Sequence, residues 1–277
     1  MLLAIDIGNT EVTLGLFTGR KLVRSFRVSS ETRRTADETG LLLRHVFPEL
    51  EKGPAPRKAP APGKAAAAGA AAPGEARAVL ASVVPPQTPI YIEAVKRLLG
   101  RAPLEVTADT DSGLTIEYRD PRAVGADRIA NAVAAIEKYG APVIVVDFGT
   151  ATTFDVILKG GRYRGGVIAP GILTGAEQLV RRAARLGAFE LKTPKRVVGQ
   201  STEESLQSGV LYGAAGQVDA IVKRIRAEEK IRPRVIATGG LAKAIAPHAK
   251  SIERADPDLT LHGLLRIFER VRGTKPA

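Results

Sequence analysis

The chain is 277 residues long and carries 41 Lys+Arg against 29 Asp+Glu, a net charge of +12 with a sequence pI near 10.1. Apolar residues make up 44%, enough for a packed core, and the length suits one large or two medium domains. There is no Cys and no Trp, and His occurs only at His45, His248 and His262. Disulfides, thiolate metal sites, Fe–S clusters, cysteine nucleophiles and an HExxH centre are therefore excluded.

The N-terminus, MLLAIDIGNT, has no basic stretch, and its apolar run stops at Asp6, too short for a signal peptide. No run of about 18 apolar residues occurs that would span a membrane. The expectation is a cytoplasmic protein with no membrane partner. Strand-like segments cover Leu2–Asp6, Val12–Phe17 and Lys21–Arg27, with Thr18-Gly19-Arg20 as a turn. The spacing Thr35-Ala36-Asp37-Glu38 predicts a capping box opening a helix whose apolar face is Leu41, Leu42 and Val46. Residues Gly53–Ala76 hold 11 Ala, 5 Pro and 4 Gly in 24 positions, a composition that buries no core and predicts a disordered tether or surface loop.

Beyond the tether, Val79–Val84 reads as a buried strand broken by Pro85-Pro86. Thr88 is expected as the N-cap of the next helix, with Pro89 at its first position and Gly100 as its end. Gly125-Ala126-Asp127-Arg128 opens an Ala-rich helix that ends near Gly140, and Pro142–Asp147 is again a buried strand. Strands alternating with helices of this length indicate an α/β fold with parallel pairing in part.

The bases are dispersed. The densest stretch holds Arg20, Lys21, Arg24, Arg27, Arg33 and Arg34, interleaved with Leu22, Val23, Phe26 and Val28 as in a strand. Seven Phe and five Tyr offer few stacking platforms, so nucleic acid is not the expected partner.

An internal echo carries more information. LAIDIGNT (3–10) and VIVVDFGTATT (143–153) are each an apolar strand ending in Asp-x-Gly, followed by a second strand, a Gly turn and a third strand. The two Asp, Asp6 and Asp147, lie 147 − 6 = 141 residues apart, half the chain. The repeat predicts two copies of one hairpin-led lobe facing a cleft. In each turn the carboxylate can hold a hard cation through water. Gly8 and Gly149 admit a phosphate to backbone N–H groups, and Thr10, Thr150, Thr152 and Thr153 offer hydroxyls. Two such turns can clamp a triphosphate, and phosphoryl transfer needs little else beyond charge neutralisation and a base. A P-loop is absent, and strands rather than helices follow both turns, which excludes a Rossmann fingerprint.

Asp127 is the candidate base; its plainer reading is a helix N-cap, and a helix N-terminus would lower its pKa. Arg128 is either an anion clamp or a solvated helix residue. Gly165–Gly171 reads as a strand flanked by turns, and Gly239-Gly240 ends a strand before a helix; the latter pair reads as close approach to a flat ligand or as a tight strand-to-helix turn.

The ordered set IDIGNT (5–10), RTADE (34–38), ASVVPP (81–86), GADRIANAVAA (125–135), VDFGTATTFDV (146–156), GGVIAPGI (165–172), STEESLQSG (201–209), ATGGLA (237–242) and DPDLTLHGL (256–264) resembles the type III pantothenate kinases. These belong to the superfamily of actin, hexokinase and the acetate and sugar kinases. The resemblance implies two RNase H-like lobes, 1–124 and 125–277, around a central cleft. It implies transfer of the ATP γ-phosphate to pantothenate, giving 4′-phosphopantothenate, the first step of coenzyme A synthesis.

Residue by residue, it implies that Asp6, Ile7, Gly8, Asn9, Thr10, Glu11, Val12, Thr13 and Thr150 bind ATP, with Asp6 near magnesium. It implies that Tyr118, Gly125, Ala126, Asp127, Arg128 and Thr202 meet pantothenate, and that Asp127 takes its proton. Asp147 would hold a monovalent cation, K+ or NH4+. A homodimer is implied, with the pantothenate pocket at or near its interface. Two of these residues have plainer readings: Tyr118 as a half-buried strand tyrosine, and Thr202 as a helix cap. Glu11 departs from the neutral residue common in the family and is expected to point away or to help bind the cation. The competing readings are a related sugar or acyl kinase, a non-catalytic regulator and a nucleic-acid binder. The GADR context argues against the first, and the presence of Asp6, Asp127 and Asp147 against the second.

Overall fold

The computed structural model describes residues 1–31, 33–52, 76–183, 187 and 189–273. The expected tether lies outside the described residues except for Ala76. The first half runs β1 (Leu2–Ile7), β2 (Glu11–Thr18), β3 (Lys21–Ser29), α1 (Ala36–Val46), β4 (Arg77–Ser82), α2 (Thr88–Leu99) and β5 (Leu104–Glu105). Then come β6 (Thr115–Ile116), α3 (Ala126–Tyr139), β7 (Val143–Phe148), β8 (Ala151–Leu158), β9 (Arg162–Pro170), α4 (Ile172–Arg182), α5 (Thr202–Glu228), β10 (Arg234–Thr238), α6 (Ala242–Ile245), β11 (Arg254–Ala255) and α7 (Leu259–Val271).

The sequence echo is a structural repeat. The first sheet is ordered β3-β2-β1-β4-β5 and the second β9-β8-β7-β10-β11, with β6 added beside β9. In both, the first three strands are antiparallel and the next two parallel. The register slips at matching places, between Leu16 and Phe17 in one copy and between Val156 and Ile157 in the other. This is the two-lobed α/β architecture that the motif order implied.

Strand alternation decides what each face meets. In β1, Leu3, Ile5 and Ile7 pack on α1 and α2 through Leu43, Tyr91 and Val95, whereas Leu2 and Ala4 face the other way. In β7, Ile144, Val146 and Phe148 pack on α5 and α6 through Leu211, Val218 and Ile245, whereas Val143 and Val145 face the other way. Both inner faces bury against one layer, the pair α3 and α7, so a single core joins Leu2, Ala4, Val79, Ile129, Val145, Ile236 and Leu264. The same alternation puts Asp6 and Asp147, next in line after Ala4 and Val145, onto that shared layer.

Local signals account for most helix ends. Thr35 and Glu38 form the expected capping box, and Gly100 closes α2 in the left-handed conformation at φ +69°. Two expectations need correction. Leu41 is 65% exposed, and α1 buries Thr39 and Leu43 instead, because the helix meets the sheet one position round from the side read from the leucine run. Thr88 does not cap α2; Gln87 precedes the helix, and the Thr88 hydroxyl bonds Ser82 Oγ and the Val84 carbonyl, which puts Pro89 second.

The central pair is unusually close. A Cβ on Gly263 of α7 would stand 1.9 Å from the Ala130 carbonyl oxygen of α3, which explains why α3 faces it with alanines. Gly263→Ala should lower Tm by roughly 2–8 °C, because overpacking of about 2–3 kcal/mol against a backbone carbonyl outweighs alanine's helix preference of about 1 kcal/mol. An unchanged melting curve would contradict this packing.

Candidate active site

The two Asp-x-Gly turns face each other. In the first, the Gly8 N–H donates to the Glu11 carbonyl at 3.0 Å; in the second, one residue shorter, the Gly149 N–H donates to the Ala151 carbonyl at 3.0 Å. The first turn is held from behind: Ser30 Oγ donates to the Gly8 carbonyl at 2.7 Å, and Gln87 Nε2 donates to Ser30 Oγ at 2.7 Å. The second is held by Thr174, whose hydroxyl donates to the Thr150 carbonyl at 3.1 Å. Across the cleft, the Thr10 and Thr150 hydroxyls lie 2.8 Å apart in a hydrogen bond. Ile7 and Val12 are fully buried, backbone included; Asn9, Thr10, Glu11, Gly149 and Thr150 are exposed.

Three carboxylates converge beneath these turns. Asp127 stands in the first turn of α3, but Gly125 occupies the cap position, so the N-cap reading fails. Its Oδ1 accepts the Arg128 N–H at 2.8 Å, and a Cβ on Gly125 would come within 2.4 Å of that oxygen. Burial lifts the Asp127 pKa, opposed by that N–H and by the Arg128 charge. The expected lowering at a helix start is therefore outweighed by desolvation. Asp6 is pushed well above the usual carboxylate range by burial first, then by Asp127 and Asp147. Asp147 is pushed up to about 7, by burial and then by Asp127 and Asp155.

Asp147 is positioned from several sides. Asn131, one helical turn after Asp127, donates from Nδ2 to Asp147 Oδ2 at 3.0 Å and accepts at Oδ1 from Thr260 of α7 at 2.7 Å. Gly239, at φ +87°, lets the strand-to-helix turn press on the carboxylate; a Cβ there would lie 2.4 Å from Asp147 Oδ1. In the sheet, Asp147 sits between Thr153 and Thr238, whose buried hydroxyls have no hydrogen-bond partner among the described residues. Raised carboxylates beside orphaned hydroxyls form an all-oxygen donor set that suits a hard cation. Among the described residues no group of three or more His, Cys, Asp or Glu could hold a metal ion by itself, so phosphate oxygens would have to complete the coordination.

A second group forms around Gly165 and Gly166 of β9. Arg128 is 7% exposed, neither solvated nor free: its Nε donates to Asp155 Oδ1 at 2.7 Å, and the Tyr163 hydroxyl donates to the same oxygen. Its Nη2 is ion-paired with the same oxygen at 2.6 Å and has no hydrogen-bond partner among the described residues. That Nη2 would be 3.0 Å from a Cβ on Gly166, and the Tyr118 ring 3.5 Å from one on Gly165, so both side chains overhang the glycine pair.

A family model described as Type III pantothenate kinase matches residues 2–224. The type III pantothenate kinase of Geobacter sulfurreducens is 44% identical over 273 residues, covering 98% of this chain and 100% of that one. The enzyme of that name from Moorella thermoacetica is 45% identical over 270 residues, covering 98% and 99%. The chain belongs to the type III pantothenate kinases. Among solved structures, a Sinorhizobium meliloti protein described as a 2-dehydro-3-deoxygalactonokinase shares the fold at TM-score 0.55 and 11% identity, over 100% of this chain and 99% of that one.

In this family member the cluster gathers Asp6, Asp127 and Asp147, and Thr10 meets Thr150. Thr202 is not among them: it is the exposed first residue of α5, Ser201 is the cap, and no hydrogen bond links Thr202 to the cluster among the described residues. Glu11 Oε2 pairs with Arg27 Nη1 at 3.6 Å. Asn131, Arg27, Asp155, Tyr163, Ser30 and Gln87 join the site without a role that the sequence had assigned them. Only Asn131 carried a usable signal, its four-residue spacing from Asp127.

A carboxyl whose folded pKa exceeds its unfolded value near 3.9 stabilises the fold at low pH and loses that stabilisation as pH rises to the folded pKa. For Asp147 the window runs from about 4 to about 7. In chelator-treated, nucleotide-free protein, Asp147→Asn should therefore melt above wild type at pH 8, with the gap narrowing at pH 5. Equal Tm values at both pH values would contradict the crowding of these carboxylates.

Proposed function

We propose that the chain transfers the γ-phosphoryl group of ATP to the primary hydroxyl of pantothenate, giving 4′-phosphopantothenate and ADP. The observation that carries this reading is the meeting of the two Asp-x-Gly turns above a third carboxylate, Asp127. Such a site positions a triphosphate from both ends and offers a base beside it.

Asp127 accepts the proton of the acceptor hydroxyl. As the new O–P bond forms, the bond from the γ-phosphorus to the β–γ bridging oxygen breaks, and ADP leaves with its electron pair. A pKa lifted by burial makes Asp127 a stronger base than an exposed carboxylate, and the Arg128 charge helps keep it ionised. The phosphate groups lie along Asp6–Thr13 and Thr150, where Asn9 and Thr10 present backbone N–H groups and a hydroxyl, and the Gly8 N–H is kept by the turn itself. Asp6 would hold magnesium through water, and Asp147 a monovalent cation, K+ or NH4+. When bound, these ions neutralise the triphosphate. Gly125, Ala126, Arg128 and Tyr118 receive pantothenate, with the Arg128 Nη2 protons suited to its carboxylate.

The chain works as a homodimer in this reading. Leu173, Leu179, Val197 and Val198 are exposed near α4 and α5, and a Cβ at Gly209, Gly213 or Gly216 of α5 would meet open space. An apolar face with a backbone open to close approach suits a second copy of α5. Thr202, apart from its own cluster, then serves the shared pocket at this interface.

Pantothenate-dependent ADP release should be observed and should fall when K+ is replaced by Na+. Asp127→Asn should cut kcat by about 10²–10⁴-fold with ATP affinity little changed. Unimpaired turnover by that variant would remove Asp127 from its role. Sedimentation should give a dimer, and Val210→Glu in the α4–α5 groove should dissociate it and raise KM for pantothenate. A wild type that stays monomeric at micromolar concentration would end the dimer proposal.

A further inference from the structure

Arg27 is the side chain of the cleft that neither the repeat nor the family motifs single out. It belongs to β3, where the cross-strand row Asp6, Thr13, Arg27 puts all three side chains on one face of the first sheet. From there it reaches the second lobe: its Nη1 would lie 3.2 Å from a Cβ on Gly240, so the bare turn after β10 is what makes room for it. Its charge acts on the carboxylates of both lobes, lowering Asp6 and Asp147. Its guanidinium makes no hydrogen bond among the described residues. The sole ion pair among them is with Glu11, at 3.6 Å, and both side chains are exposed, at 37% and 53%.

An arginine fork with its donors open, beside two glycine turns and facing a cleft, matches the geometry of polyphosphate oxygens. Its present partner is a weak one, since an exposed pair at this distance is worth little. The main chain of Glu11 is held beside the turn, because its own carbonyl accepts the Gly8 N–H, while its exposed side chain rests on Arg27. The carboxylate therefore stands where an anion would approach Arg27.

We propose that Arg27 binds the polyphosphate of the nucleotide and that Glu11 is its built-in competitor: Glu11 holds the guanidinium in the empty site and is displaced when the phosphates enter. This rests on the reading of the two turns as a nucleotide site. It makes Arg27 a bridge from the first lobe to the second in the loaded state. It also makes Glu11 a device that weakens nucleotide affinity while keeping the fork oriented.

The test is titration calorimetry of Mg-ATP into the full chain without pantothenate, for wild type, Arg27→Gln, Arg27→Lys, Glu11→Gln and the double variant. Inorganic triphosphate serves as a competitor. Arg27→Gln should raise the Kd for Mg-ATP roughly tenfold or more, and Arg27→Lys should recover only part of this. Glu11→Gln should lower it roughly two- to fivefold, the value of an exposed pair. A gain in affinity cannot come from misfolding. With Arg27→Gln present, adding Glu11→Gln should bring no further tightening, and triphosphate should lose competing power in the Arg27 variants. Pantothenate affinity should move less than ATP affinity, which a merely structural role would not give.

Unchanged Mg-ATP affinity in Arg27→Gln, or weaker binding in Glu11→Gln, overturns the proposal and leaves the kinase reading standing. A wild type that binds Mg-ATP and shows the Arg27 and Glu11 effects without phosphorylating pantothenate overturns the acceptor assignment and supports the proposal. A wild type that binds no Mg-ATP overturns both.

Discussion

Like charges held together out of water are the constraint around which this structure is arranged. Asp6, Asp127 and Asp147 come from three different elements; Asp127 raises the cost of ionising both Asp6 and Asp147, and Asp147 raises that of Asp6. A fold selected for stability alone would not gather them. Their neighbourhood is fitted to keep them there: Asn131 holds Asp147, Gly125 yields to Asp127, Gly239 yields to Asp147, and Arg27 supplies partial compensation. The cost is recovered when cations and phosphates enter, because the same crowding that destabilises the empty site increases its attraction for positive charge. The absence of Cys and the scarcity of His fit a site whose ligands are oxygen throughout.

The carboxylates meet because both sheets turn their inner faces to one helical layer. Alternation along β1 and β7 delivers each terminal Asp to the α3–α7 side, and α3 brings Asp127 and Asn131 on consecutive turns of one helix face. The close crossing at Gly263 and Ala130 draws that layer thin. Duplication supplies symmetry to the phosphate end of the site, where Thr10 and Thr150 face each other as equivalents. The acceptor end has none: Arg128, Asp155, Tyr163 and Tyr118 belong to the stretch from the link between the sheets into the second, and have no counterpart in the first.

Much of this was legible in the residues. The Asp-x-Gly echo fixed two hairpins in register to within one residue, and Thr35, Gly100 and Gly140 marked helix ends by local chemistry that acts over three or four positions. What failed had its cause at longer range. Leu41 looked like core because a run of leucines gives no phase relative to the sheet. Arg128 looked solvated or clamping because its partner, Asp155, lies 27 residues on and meets it only through the packing of α3 on β8. Arg27 sat in a run of bases, and only strand register selects it from Arg24 and Arg20 as the one that faces the cleft.

The return of α7 to the first sheet has a consequence for how the chain is made. Gly15 of β2 lies under Leu261, and Phe17 meets His262 edge-on at 5.5 Å, so one face of the N-terminal lobe is completed by residues near the C-terminus. Those partners leave the ribosome long after the first sheet does. At about 5–20 residues per second, the interval between Ser82 and Leu265 is on the order of ten seconds or more. Through that time Leu2, Ala4, Phe17 and Val79 wait with their apolar face uncovered by α7. The nascent first lobe is thus an adhesive surface, and α7 acts as the stitch that closes it.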